Sequence, residues 1–396
     1  MMRNDGRRRS AAAVPAVMTA LALAWSGCGA DAPPLSAPEV IREGVADLAI
    51  GRPDGEGPEV FGRVSGVAED GEGRIYVADA LNHEVRVFDS DGAHLFSIGG
   101  RGEGPGELES PCCPSFDDQG RLWVRDGGNR RYAAFTLLDP LTAEGVLAGE
   151  TRPMRHWDPW RSVAATFDAD GRLVDVGMGP MEEGSKAELR RYHVSAEGRV
   201  EAVETLSQPT QEDLGSAVRE EKQGGSTTRM YFPQPYGPQH LSAHGPRGAW
   251  AAAIGSAYRV DVHATAEDSW ILTDPALQPP PLSEAEKDRG EARRRQYLEE
   301  FGGSIDDFPT LPTHKPVLEA LAFDQAGRLW VFPSVADGAP RRARIYERDR
   351  LVEERTWPLE VRLTPLGWLA ADHALGLTTD ALGTQKVVRI RFAPPS

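Results

Sequence analysis

A chain of 396 residues with 40% hydrophobic content is long enough for one large β domain or two ordinary ones, and too apolar to stay disordered. Its 44 Lys and Arg against 60 Asp and Glu give a formal net charge of −16. Such a surface repels phosphate backbones, so no nucleic-acid partner is expected.

Residues 1–27 read as a signal peptide. Arg3, Arg7, Arg8 and Arg9 form a positive stretch, and Ala11–Trp25 is an apolar run short for a membrane span. Ser26-Gly27-Cys28 then puts small residues directly before a cysteine. This resembles a bacterial lipobox, with Trp25 where such boxes carry Leu. The resemblance implies acylation of Cys28; ordinary cleavage nearby is the alternative. Residues 28–42 are read as the lipidated cysteine and an Ala/Pro-rich tether, and 43–396 as the folded domain. The expected location is export, with a lipid anchor in the bacterial membrane and the protein facing the periplasm or cell exterior.

Val45–Gly51 reads as a lone strand. The first full unit follows over Val64–Gly99. Four alternating runs, Val64–Ala68, Arg74–Ala78, Val85–Phe88 and His94–Ile98, are separated by Asp/Gly/Asn-rich turns. Alternation at period two buries one face, and the turn residues take positive φ or bond their own backbone. The unit therefore predicts a four-stranded antiparallel meander, which cannot bury both faces alone.

Its hairpin recurs at Phe116–Val124, Phe167–Val174 and Phe323–Val331, and in worn form within Leu241–Ala251 and Leu363–Leu377. The turn glycines Gly73, Gly120 and Gly171 stand about fifty residues apart, the spacing of a propeller blade. Six units make an all-β, six-bladed β-propeller of four-stranded antiparallel blades. The last unit ends at Val387–Phe392 with no fourth strand, so Val45–Gly51 is expected to close the last blade.

The repeated Asp-x-x-Gly-Arg-Leu-Trp-Val, the run Asn82–Phe88 and the Gly-rich Ile98–Leu108 resemble NHL-type six-bladed propellers, and secreted bacterial six-bladed propeller lipoproteins more closely. The resemblance covers roughly Ala46–Phe392. It implies the architecture but no single activity, because this fold hosts hydrolases, lyases and binding modules alike.

Between the blades, Gly99–Gly106 lacks the Lys-Ser/Thr and helix of a phosphate-binding loop and reads as a tight crossing, with Arg101 able to hold an anion. Cys112-Cys113, flanked by Pro111 and Pro114, allows a vicinal disulfide, two buried thiols or a soft-metal or redox contact. Trp157 and Trp160 offer either a stacking platform for a sugar or aromatic ligand or packing at the third blade. Gln208–Gln239 is a polar excursion. Asp274–Pro316 is a larger insertion whose Ser283-Glu284-Ala285-Glu286 capping box starts a helix over about 283–301, ended by Gly302-Gly303. Ala285, Ala292, Tyr297, Leu298 and Phe301 give that helix a thin apolar stripe. It is read as a surface rim, with a lid over the central opening as the alternative.

The turns after the second strands supply Asp79, Asn82 and His83, then Asp126, Asn129 and Arg130. Because they recur with the repeat, they serve first as turn caps; the functional alternative is an oxygen-lined, metal-holding mouth joined by Asp175. No His-Glu-x-x-His or Gly-x-Ser-x-Gly stretch is present. The sequence therefore points to an anchored module that binds a protein, glycan or small ligand, with no cofactor and no catalysis. The rival is a metal-dependent lactonase- or lyase-like enzyme using calcium or zinc at the channel mouth.

Overall fold

The repeated turn accounts for its own residues. In the computed structural model, which describes residues 38–155, 163–178, 189–206, 217–223, 226–265, 267–302, 304–305 and 308–394, Asp117 uses both carboxylate oxygens. One accepts the amides of Gln119 and Arg121 at 2.9 and 3.0 Å; the other accepts Arg121 Nε and Trp123 Nε1 at 2.7 and 2.8 Å. Asp324 repeats the set with Ala326, Arg328 and Trp330, and Asp70 does so with the Tyr76 hydroxyl in place of an indole. The third copy has Val174 at that position, and His193 of the next strand supplies the donor, with Nδ1 2.7 Å from Asp168. Gly120, at φ 73°, closes the turn in the left-handed region that other residues avoid. Burial pushes the Asp117 carboxyl up, but the Trp123 and Arg121 donors outweigh it and hold it below the usual carboxylate range.

The hairpins so fixed extend into blades. Blade 1 pairs Val64–Glu69, Ile75–Asp79, Glu84–Phe88 and His94–Gly99 in that order; blade 2 pairs Pro111–Phe116, Leu122–Asp126, Arg131–Leu137 and Val146–Pro153. Blade 3 is Thr166–Phe167, Leu173–Met178, Leu189–Val194 and Val200–Thr205, and blade 4 is His240–His244, Trp250–Ile254, Arg259–His263 and Ser269–Thr273. Blade 5 is Leu318–Phe323, Leu329–Pro333, Arg341–Glu347 and Arg350–Trp357; blade 6 begins with Trp368–Leu369, His373–Thr379 and Gln385–Phe392. The core lies between blades. Trp123 and Tyr132 of blade 2, for example, are buried against Leu173 and Val194 of blade 3.

Each blade is bonded to the next. Ser65 Oγ donates to Pro111 O at 2.6 Å, and Ser115 Oγ to Ala165 O at 3.0 Å. Asp168 and Arg247 form a backbone bridge between blades 3 and 4. Val317 N donates to Gly255 O, Gln325 N to Leu369 O, and Val67 N to Leu366 O, the last closing blade 6 on blade 1. The architecture is a closed six-bladed propeller, as the repeats indicate.

Val40–Ile50 supplies the missing fourth strand of blade 6. It runs antiparallel to Gln385–Phe392 from Gly44↔Phe392 to Ile50↔Val387. The register slips between Ala46 and Leu48, and the bulge aims Asp47 at Arg389 and Arg391, 2.9 and 2.6 Å away. The strand starts earlier than the sequence suggests, at Val40, and its first residues pair parallel with blade 5, Val40↔Glu353 to Glu43↔Thr356. Blades 5 and 6 thereby form one continuous eight-stranded sheet. Gly44 sits at the changeover, where a Cβ would run into Ile390 and Phe392.

The helix spans Glu284–Phe301 with the expected capping box: Ser283 Oγ accepts Glu286 N, and the Glu286 carboxylate accepts Ser283 N. Its inward face keeps Tyr297 and Leu298 of the expected stripe, packed against Phe232 and Phe308, and corrects the rest. Ala285, Ala292 and Phe301 are exposed, and the buried positions are Glu286, Gly290 and Arg294. Glu286 pairs with Lys315, and Arg294 donates to the carbonyls of Ile305 and Phe308, so polar side chains dock this helix. A hairpin, Ala217–Gln223 with Ser226–Phe232, lies in the region read only as a polar excursion. Its last residue, Phe232, packs on Tyr297, Phe301 and Phe308 with ring centroids 4.9 to 5.6 Å apart. Among the described residues no helix is long and apolar enough to cross a membrane.

Candidate functional site: the central cavity

Turns alternate ends in a meander, so the ring has two faces. The Asp-x-x-Gly-Arg turns lie on one. The second-to-third-strand turns and the blade crossings, with both excursions, lie on the other. All the described ligand candidates from the sequence sit on this crossing face. Asp79 is fully buried and accepts Gly62 N, Arg63 N and Asn82 Nδ2 at 2.8, 2.9 and 2.8 Å, with Arg86 3.4 Å away. Burial raises its carboxyl pKa, but those amides and Arg86 prevail and lower it. Asp126 does the same for Glu109 N, Ser110 N and Asn129 Nδ2, and Arg131 adds a contact at 3.3 Å. His83 Nδ1 lies 2.6 Å from Glu109 O, so it donates there. His83 and Arg130 take positive φ, 59° and 52°. Arg101 is mostly exposed, 3.5 Å from Glu109.

These carboxylates tie each incoming crossing to its blade. Asp175, in turn, accepts Arg155 N and the Tyr132 hydroxyl of blade 2. Among the described residues no three His, Cys, Asp or Glu side chains gather as a metal group. Trp157, Trp160 and Cys28 lie outside the described residues.

The concave site lies elsewhere. A central cavity of about 260 Å³ is lined by the innermost segments of all six blades and extends to the turn face. None of the candidates just described lines it, and neither does the helix. Four half-buried aromatic residues do: Phe116, Phe167, Phe323 and Trp368, from blades 2, 3, 5 and 6. The three Phe end their inner strands and Trp368 opens the short inner strand of blade 6; two are held edge-on by a neighbour, Phe116 by Tyr76 and Phe167 by Trp123.

Blade 4 breaks this pattern. At the aromatic position it carries His244, at the Asp position Gly245, and at the Arg position Ala249. The Phe323 ring of blade 5 presses over Gly245, where a Cβ would come within 2.7 Å of it. An Asp cannot fit there, and the Asp–Arg pair of blades 1, 2, 3 and 5 is lost. In its place Ser242, His244 and Arg247 line the cavity, Arg247 at φ 57° in the turn. Ser242 and His244 share one face of their strand, while Ala243 on the other is buried in the core. Sequence reasoning missed these residues. The signal was present in the worn fourth copy, whose departures fall on the positions that meet the channel.

One wall is unusual. Cys112 and Cys113 are bonded as a vicinal disulfide, Cα atoms 3.7 Å apart, at a register slip in the inner strand of blade 2. Cys113 lines the cavity. Gly66 of blade 1 backs it so closely that a Cβ would lie 2.7 Å from Cys113 N.

Residues 60–111 match the family DUF5128, described as a 6-bladed beta-propeller. No curated protein matches the chain. Solved structures similar to it include a member of the DUF4221 family from Bacteroides vulgatus, at 8% identity and a TM-score of 0.43, covering 90% of this chain and 99% of that one. The PQQ-bound aldose sugar dehydrogenase of Streptomyces coelicolor is 11% identical with a TM-score of 0.42, covering 90% and 100%. Virginiamycin B lyase of Staphylococcus aureus is 10% identical with a TM-score of 0.39, covering 83% and 94%.

Proposed function

We propose that this chain is a small-ligand-binding propeller, exported and held at a membrane by acylated Cys28, with its ligand in the central cavity. The observation that supports this reading is the division of labour among polar residues. The recurring carboxylates are spent on backbone amides, whereas the cavity gathers aromatic and hydrogen-bonding side chains from separate blades. A concave site that combines aromatic side chains with convergent polar groups is what a small molecule needs.

Calorimetric titration with a neutral ring compound, benzyl alcohol, tests the site. Binding should be measurable with the native protein and lost in Ser242→Trp or Thr364→Met, since Thr364, just before the inner strand of blade 6, also lines the hollow and the two fill it from different sides. Absence of binding, or equal binding by the filled variants, would sink the reading. Calcium and zinc belong in the same experiment: a melting temperature raised by either metal, and not in Asp79→Asn, would favour the lactonase- or lyase-like rival instead. For the anchor, Cys28→Ala should move the protein from the membrane to the soluble fraction; retention at the membrane would contradict acylation there.

A further inference from the structure

The cavity has a chemical polarity that its fold symmetry does not require. Its acidic members are largely spent. Asp117 and Asp324 each accept four hydrogen bonds and pair with Arg121 and Arg328 at 2.7 Å, while Asp168 pairs with Arg172 at 2.8 Å. Asp118 is exposed on the turn face, at the second position of its turn. Donors collect on blade 4 instead, where the Ser242 hydroxyl, the His244 ring and the Arg247 guanidinium line one side. Arg247 makes no ion pair among the described residues. The loss of the Asp–Arg pair in blade 4 thus leaves a cation at the hollow that no carboxylate among the described residues pairs with. Around the rest of the lining stand the aromatic residues of blades 2, 3, 5 and 6.

Resting on the reading of this cavity as the binding site, we infer that its ligand is a small aromatic or cyclic carboxylate. Its ring lies among Phe116, Phe167, Phe323 and Trp368, and its carboxylate meets Arg247 with Ser242 and His244 beside it. Size agrees, since a hollow of roughly 150 Å³ already holds a benzene ring. The remainder of the cavity leaves room for a polar substituent. A guanidinium suits this task because its planar fork matches both carboxylate oxygens. A neutral ligand of the same shape would leave that fork unsatisfied.

Benzoate and benzamide, alike in shape and different in charge, separate this inference from the broader one. Benzoate should bind about tenfold more tightly than benzamide, the difference that one charge-assisted contact supplies. Arg247→Asn should erase the preference, and Asn tolerates the positive φ of this turn, so the variant keeps its backbone. Arg259→Asn removes a charge from the same blade away from the cavity lining and should leave the preference intact. Equal affinity for the two compounds would overturn the carboxylate assignment while the cavity reading stands. Equal weakening by both Arg variants would also overturn it, by reducing the effect to net charge. Failure of both compounds to bind, together with failure of benzyl alcohol, would bring down the reading beneath it.

Discussion

His373 shows how one residue can carry ring closure. It opens the second strand of blade 6, and its Nε2 reaches the Glu69 carboxylate of blade 1 at 2.8 Å, while Nδ1 contacts Asp372 at 2.8 Å. Arg391 stands 4.0 Å from Asp372. Burial of the imidazole lowers its pKa, but the two carboxylates outweigh burial and raise it above the ordinary 6.5. A raised folded-state value means that the protonated ring favours the folded protein. The contribution is full below about 6.5 and disappears as pH rises through the raised value. Native protein should therefore exceed His373→Gln in stability by about 1 kcal/mol in mild acid, and the gap should close in mild alkali. Urea unfolding at a series of pH values reads this; a gap that is constant or widens with pH would refute the latch.

At the scale of elements, the closing strand Val40–Ile50 differs from an ordinary ring closure because it serves two blades. Its far half completes blade 6 and its near half extends blade 5, with Arg42 2.7 Å from Glu353 and Glu39 2.5 Å from Arg350. Gly44→Ala places a methyl against Ile390 and Phe392 at the changeover. It should cost about 1 to 3 kcal/mol through overpacking. Hydrogen exchange should then quicken in Arg350–Trp357 and in Gln385–Phe392 together. Faster exchange in one blade alone would show that the strand's two halves act independently.

At the scale of the whole molecule, the ring was legible from the sequence because it is written six times. Asp117 and Asp324 fix their turns by short-range contacts, so the same few residues give the same hairpin wherever they occur. The helix was legible for a similar reason, since Ser283 and Glu286 cap each other across three residues. The polar part of that helix's inward face was not, because Glu286 and Arg294 are buried by distant partners, Lys315 and the carbonyls of Ile305 and Phe308. The cavity escaped notice for the same physical reason on a larger scale. Ser242, Phe116 and Trp368 are far apart in the chain, and only circular closure brings their strand ends to one axis.

That the first described strand completes the last blade also sets a timetable for synthesis. While the chain is still growing, Val40–Ile50 has no partner in blade 6, because Gln385–Phe392 has yet to be made. Early blades can assemble locally, but the circle locks only once Gln385–Phe392 has been made, a long loop to close and a slow one. Until then the waiting segment carries an unpaired edge, and a chain that stalls before blade 6 is made would present that edge to any neighbour able to add a strand.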